Sequence, residues 1–175
     1  MLVSEAIRQR REITKYQAKE IPNNVLEEII ESAYLSPTGN NLPSREFIVV
    51  QKREMLDHLA KTTPFVPWLT ETTAAIVITG RPDVSKYWLQ DASIACGFIW
   101  LSAVEQGLGA AFGAVYHSED ELESERRESH VRDALHLPGD RRVVAIIGLG
   151  YPAEIPAPKK HVAKEAIVFY ENFQK

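Results

Sequence analysis

Two short stretches hold the side chains best able to do chemistry. In Arg10-Arg11-Glu12-Ile13-Thr14-Lys15-Tyr16, paired guanidiniums close an N-terminal helical segment. Two such planar forks side by side suit bidentate contact with a phosphate. In Ser36-Pro37-Thr38-Gly39-Asn40-Asn41-Leu42, a turn gathers amides and side-chain oxygens that can face a planar polar ring. Either stretch alone reads as a solvated helix end or an ordinary loop. Together they resemble the two halves of a cradle for a ligand with a phosphate at one end and a flat ring at the other.

Other chemistries find less support. Cys96 is the only cysteine, which excludes an internal disulfide and a multi-thiolate metal site. Its neighbours Ile94, Ala95, Gly97 and Phe98 offer nothing to lower a thiol pKa, so it reads as a small buried apolar residue. His58, His117, His130, His136 and His161 lack the paired spacing of a metal site, and no G-x-S-x-G elbow occurs. Gly107-Leu108-Gly109-Ala110-Ala111-Phe112-Gly113 resembles a dinucleotide loop, but its third glycine comes one residue late. Its context also runs from helix to strand, the reverse of a Rossmann turn. Gly107 reads instead as a helix C-cap, and Gly113 and Ala114 as small strand residues that admit a close neighbour or a flat ligand. Asp91 reads as compensation for a helix dipole or as a cap.

A chain of 175 residues, 45% hydrophobic and 25% charged, fits one globular domain spanning 1–175. A net charge of −4 argues against general nucleic-acid binding, which needs a basic stripe. No apolar run approaches the roughly 18 residues of a membrane span, and the N-terminus lacks a signal h-region, so a cytoplasmic location is expected.

Hydrophobic spacing predicts the elements that must position these groups. A short helix spans 3–11 with Ser4 as its N-cap, and a second runs from Asn23 until Ser36-Pro37 ends it. Phe47–Val50 and Ala74–Thr79 read as buried strands, with a helix over 52–61 between them. Pro64-Phe65-Val66-Pro67-Trp68-Leu69 is too proline-broken to be regular and reads as a lid. From Trp88 to Gln106 the chain is apolar almost all round, which marks a helix buried on several faces and, in so small a protein, a dimer interface. A strand over 110–116 follows. A charged surface helix with a capping box at Ser118–Glu121 then runs to about Leu137, and a last strand covers 143–149. The proline-rich linker 151–158 leads to an apolar tail, Ala166–Phe173, that must dock on something.

The order of these motifs resembles the nitroreductase family over nearly the whole length. The arginine stretch matches the family's R-R-S-x-R-x-F, and Pro37–Pro43 its P-S/T-x-x-N-x-Q loop. Asp91–Ala95, Glu105–Gly109 and Gly148-Leu149-Gly150-Tyr151-Pro152 resemble its interface helix, its G-L-G exit and its closing G-x-G-Y-P. The resemblance implies an α+β three-layer sandwich, a mixed, mainly antiparallel sheet flanked by helices. It implies a homodimer whose C-terminal segment extends onto the partner, and FMN at the subunit interface. Arg10, Arg11, Thr14, Lys160 and His161 would serve the phosphate side, and Pro37, Thr38, Gly39 and Asn41 would approach from the other subunit. The backbone of Gly113 and Ala114 would lie near flavin N5, and Phe65 and Trp68 would wall the substrate pocket.

The implied reaction passes a hydride from NADH or NADPH to flavin N5 and then electrons to a nitroaromatic, quinone or similar small oxidant, in ping-pong order. Glu12 replaces the family's usual Ser, Thr14 its Arg or Lys, and His161 stands at or beside its terminal Arg. Each change is worth on the order of 1 to 3 kcal/mol if the group contacts the phosphate. Two other readings of the same scaffold stay open: a flavoenzyme of another class, for dehalogenation or oxygen-dependent flavin cleavage, and a non-catalytic flavin-binding dimer.

Overall fold

The computed structural model describes residues 1–173 and shows three layers. At the centre is a four-stranded sheet of β1 (Arg45–Val50), β2 (Ala74–Gly80), β3 (Gly109–Ala114) and β4 (Arg142–Gly150), in the order β1-β2-β4-β3. All three ladders are antiparallel, and among the described residues the parallel component of the expected mixed sheet is one bridge, Glu12 to Ala110. β2 and β4 are central, covered on both faces, and built from Ala, Ile, Val and Leu. β1 lies at the edge and is only half-buried, which corrects the expectation of a buried strand there.

Strand alternation sorts the core into two halves. Ile76, Ile78 and Ile147 face α2 (Asn23–Tyr34) and α4 (Trp88–Glu105), where Leu26, Ile29, Ala92, Cys96 and Ile99 meet them. Val77, Val143 and Ile146 face α3 (Arg53–Leu59), the 3-10 turn Pro67–Thr70 and α5 (Glu121–Leu135). A bulge between Ile78 and Thr79 leaves Val144 without a partner on β2. The Val144 carbonyl accepts from Val115 N–H at 3.0 Å and Tyr116 N–H at 3.3 Å, and this is where β3 ends, short of residue 116.

Several element ends differ from expectation. α1 is Val3–Gln9, so Ser4 lies within its first turn and Arg10 and Arg11 lie beyond it. The cap of α5 is Asp120, which accepts from Glu123 N–H, and not Ser118. α5 ends at Leu135 because His136 turns left-handed (φ 53°). Nor are all its charges solvated. Glu128 is fully buried and accepts from Arg142 (2.9 and 2.8 Å), Ser124 Oγ (2.8 Å) and Val143 N–H (2.9 Å). A carboxylate out of water needs that many donors, and these fasten α5 to β4. Breaking such a pair leaves a charge unmatched, so Glu128→Gln is expected to cost about 3 kcal/mol. A urea midpoint equal to wild type would contradict this assignment.

Candidate functional site

α1 stops at Gln9, and Arg10 is extended (φ −55°, ψ 137°). Arg11 Nη1 donates back to the carbonyls of Arg8 (2.8 Å), Gln9 (3.2 Å) and Arg10 (2.8 Å), closing the open end of the helix. The Arg10 guanidinium lies 5.1 Å from the centre of the Trp100 ring, and Trp100 Nε1 donates to Arg11 O at 3.3 Å. Beyond it the chain runs along the sheet edge, with Ile13 N–H on Ala110 O at 3.0 Å and Gln17 N–H on Tyr151 O at 2.9 Å. Two glycines seat this arm. A Cβ at Gly109 would stand 2.6 Å from Ile13, and one at Gly150 2.7 Å from the Tyr16 ring. The Tyr16 hydroxyl donates to Ile13 O, and burial, then Glu12 and Glu71, raise its pKa. A cleft of about 400 Å³ opens beside the arm, walled in part by Gln9, Arg11, Ile13, Gly109 and Ile155.

The second stretch is held from two sides. Asn40 (φ 56°) and Asn41 (φ 55°) are both left-handed, a conformation asparagine tolerates better than most residues. Asp91, buried in the first turn of α4, accepts from Gly39 N–H at 2.9 Å and from Ser44 Oγ at 2.5 Å. The Tyr87 ring covers Gly39 so closely that a Cβ there would lie 2.5 Å from it. Arg45 reaches back to Ser36 Oγ (2.9 Å) and Tyr34 O (3.1 Å), tying the loop's exit to its entry. Burial lowers the Arg45 pKa and Asp91 opposes that. Asp91 is therefore a loop anchor, beyond the dipole or capping role expected of it. Its signal in the sequence was an acid in the most apolar helix, where a carboxylate requires donors.

β3 supplies the third part. Ala110 O accepts from Ile13 on the outer edge, while Val115 N–H points to β4. By alternation the backbone groups of Phe112 and Ala114 also face outward, and those of Gly113 face β4. Gly113 is small for another reason, since a Cβ there would lie 2.6 Å from Val66. Trp68 is buried and donates from Nε1 to Phe65 O at 3.0 Å, so the proline-broken segment is a packed 3-10 turn. Phe65 at its tip is 75% exposed. Thr14, Lys160 and His161 are exposed, the last two in irregular chain beyond Pro152. Among the described residues no helix is long and apolar enough to cross a membrane, and no cluster of three or more His, Cys, Asp or Glu could hold a metal.

A family model described as the nitroreductase family matches residues 7–72 and 61–151. The chain belongs to the nitroreductase family. A protein of Methanothermobacter thermautotrophicus, provisionally named an NADH dehydrogenase/NAD(P)H nitroreductase, is 35% identical over 91% of this chain and 82% of its own length. Among solved structures, a Bacteroides thetaiotaomicron protein with the same provisional name superposes with a TM-score of 0.89 at 29% identity, covering 98% of both chains. An FMN-dependent nitroreductase of Clostridium difficile superposes at 0.88 with 30% identity, covering 96% of this chain and 98% of that one. The chain is thus an oxidoreductase of the nitroreductase fold.

The residues present fit the flavin phosphate that this family suggests. Arg11 Nε is buried and has no partner among the described residues. It is the kind of orphan donor that a phosphate oxygen would satisfy. Two expected contacts change character. Gly39 N–H is already committed to Asp91, and Gly113 N–H to the sheet, so Ala114 carries the outward amide. Cys96 takes no part, and burial pushes its pKa up to about 12. Because that value lies above the ordinary 9.0, the protonated thiol's contribution to stability is complete below pH 9 and lost as pH climbs toward 12. Tyr16 acts in the same direction from 10.0. The urea midpoint should hold steady up to pH 8.5 or so and fall above it, less steeply in Cys96→Ala. A midpoint constant to pH 11 would exclude both shifts.

Proposed function

We propose that two copies of the chain together bind FMN, accept a hydride from NADH or NADPH, and pass electrons to a nitroaromatic, quinone or similar small acceptor. The observation that carries this reading is the pairing of a double-arginine arm, one of whose buried donors has no partner among the described residues, with an outward Ala114 amide on the same sheet edge. The FMN-dependent nitroreductase at 30% identity supports it. So does the nicotinamide dependence in the name of the 35% identical relative.

Bound FMN supplies two-electron chemistry between nicotinamide and acceptor at its N5 edge. The chain's task is to hold and polarise. Arg10, steadied on Trp100, and Arg11, fixed by the end of α1, take the phosphate. Thr14 offers a hydroxyl beside them, and Lys160 and His161 bring cations from the tail. The Ala114 N–H donates toward the edge where negative charge develops. Pro37, Thr38, Gly39 and Asn41 of the second copy face the ring from the other side, and the exposed Phe65 borders the opening for both substrates. One opening shared by donor and acceptor makes the kinetics ping-pong.

The second copy is motivated by uncovered apolar surface. Ile94 and Phe98 lie one helical turn apart on the outer face of α4, each 42% exposed. Ile167, Tyr170 and Phe173 of the tail are more exposed still. A tail of this kind extended over a partner would cover both surfaces.

Anaerobic addition of NADH or NADPH to FMN-loaded protein should bleach the flavin absorbance, and a nitroaromatic should restore it. Arg10→Ala should raise the FMN dissociation constant by about 10- to 100-fold, the loss of one charge-assisted phosphate contact. Absorbance that survives both nucleotides would contradict the nicotinamide step, and unchanged FMN affinity in Arg10→Ala would contradict the phosphate assignment.

A further inference from the structure

The loop from Ser36 to Ser44 has few means of holding itself. It contains one short 3-10 turn, Gly39–Asn41, with two left-handed asparagines inside or at its end. Asn41 N–H reaches Thr38 O at 3.2 Å and Leu42 N–H reaches Gly39 O at 3.3 Å, both long. From outside, Arg45 holds its start through Ser36 and Arg81 N–H donates to Ser44 O at 2.7 Å, while a single carboxylate bonds both its middle and its end. Asp91 takes Gly39 N–H on Oδ1 and Ser44 hydroxyl on Oδ2, so its two oxygens span the middle and the end of the loop. The carboxylate is buried, and α4, which carries it, is pressed against the sheet through Ala92, Cys96, Ile99 and Ala103. Tyr87, one turn earlier, closes over Gly39 and leaves no room for a side chain there.

We infer that Asp91 is a positioning residue for the ring-binding loop: it acts through Gly39 and Ser44 to hold Thr38–Asn41 in the conformation that meets the flavin. The inference rests on the flavin reading given above, but the clamp itself is a property of the chain without ligand. A carboxylate suits the task because it accepts twice and donates nothing, which fixes the Ser44 hydroxyl as a donor and the Gly39 amide as turned inward. The flavin is then faced by what remains free on the loop's outer side, and the loop need not be ordered when the flavin arrives.

Three variants separate this role from general stability. Asp91→Ala removes both acceptors, Ser44→Ala removes one bond and is milder, and Asp91→Asn keeps an acceptor for Gly39 N–H while its NH₂ can donate to Ser44 Oγ. Hydrogen exchange of residues 38–44 in flavin-free protein is the first readout, with the central strands β2 and β4 as internal control. Asp91→Ala should speed loop exchange by about tenfold or more and leave the central strands protected, with Ser44→Ala intermediate and Asp91→Asn close to wild type. The second readout is FMN affinity and the visible spectrum of the bound flavin. Asp91→Ala should weaken FMN by about tenfold with an altered spectrum, and Asp91→Asn should restore both. Loop exchange unchanged in Asp91→Ala overturns the clamp. If Asp91→Ala does not fold, unchanged exchange in Ser44→Ala overturns it. Faster loop exchange in a protein whose wild type retains no FMN supports the clamp and refutes the flavin reading instead. Faster loop exchange with FMN affinity and spectrum unchanged overturns the positioning role.

Discussion

The packing of α4 across one face of the sheet is the contact on which the rest depends. The helix touches α1, α2 and all four strands, and its inner residues are alanines, a cysteine and one large isoleucine, so it lies close. Small side chains at a helix–sheet contact leave little freedom to slide or rotate, because any shift opens a void or makes a clash. Whatever α4 carries on its flanks is therefore well placed. It carries Asp91 near one end, against the loop at 36–44, and Trp100 further on, against the arginine arm. Nine residues separate them, about 13 Å along the axis. The helix thus sets the spacing between the loop and the arginine arm of one chain, and past its end at Glu105, Gly107 (φ 74°) turns the chain into β3.

Glycines give the arrangement its tolerances. Gly109 and Gly150 lie under Ile13 and Tyr16, Gly39 under Tyr87, and Gly113 and Gly148 under Val66 and Trp68. In each case a large side chain fills the place of a missing one. The arm could not lie along β3 and β4 with a side chain at either glycine, and the Ile13 to Ala110 bond would be lost with it. Dispersion and exclusion of water at these contacts fix the backbone more tightly than the polar bonds could alone.

The elements were largely legible in the sequence because their apolar periods are strong. α2, α3, α4, β2 and β4 fall where spacing puts them, and the family was readable from the order of its motifs. What was not legible depends on partners far along the chain. Asp91 resembles any acid in a first turn until Gly39 and Ser44 are folded onto it. Glu128 sits in a run of charges, Glu123 to Glu128, where nothing local reveals that it alone is sealed against Arg142 and Val143. Gly113 is small for a side chain 47 residues earlier, and the outward amide belongs to its neighbour, a parity set by the pairing of β3 with β4.

The central claim is that one binding site draws its arginine arm from one copy and its ring-facing loop from another. A mixed dimer tests it most directly, assembled from an Arg10→Ala copy and a Gly39→Val copy carrying different purification tags, with FMN stoichiometry measured on the isolated mixed species. If the halves come from different copies, one site collects both lesions and the other neither, and the mixed dimer should retain one tightly bound FMN per two chains. Against homodimers of either variant, which should hold no tightly bound FMN, none in the mixed dimer would mean that each chain builds its own site, and two would mean that neither lesion disables a site.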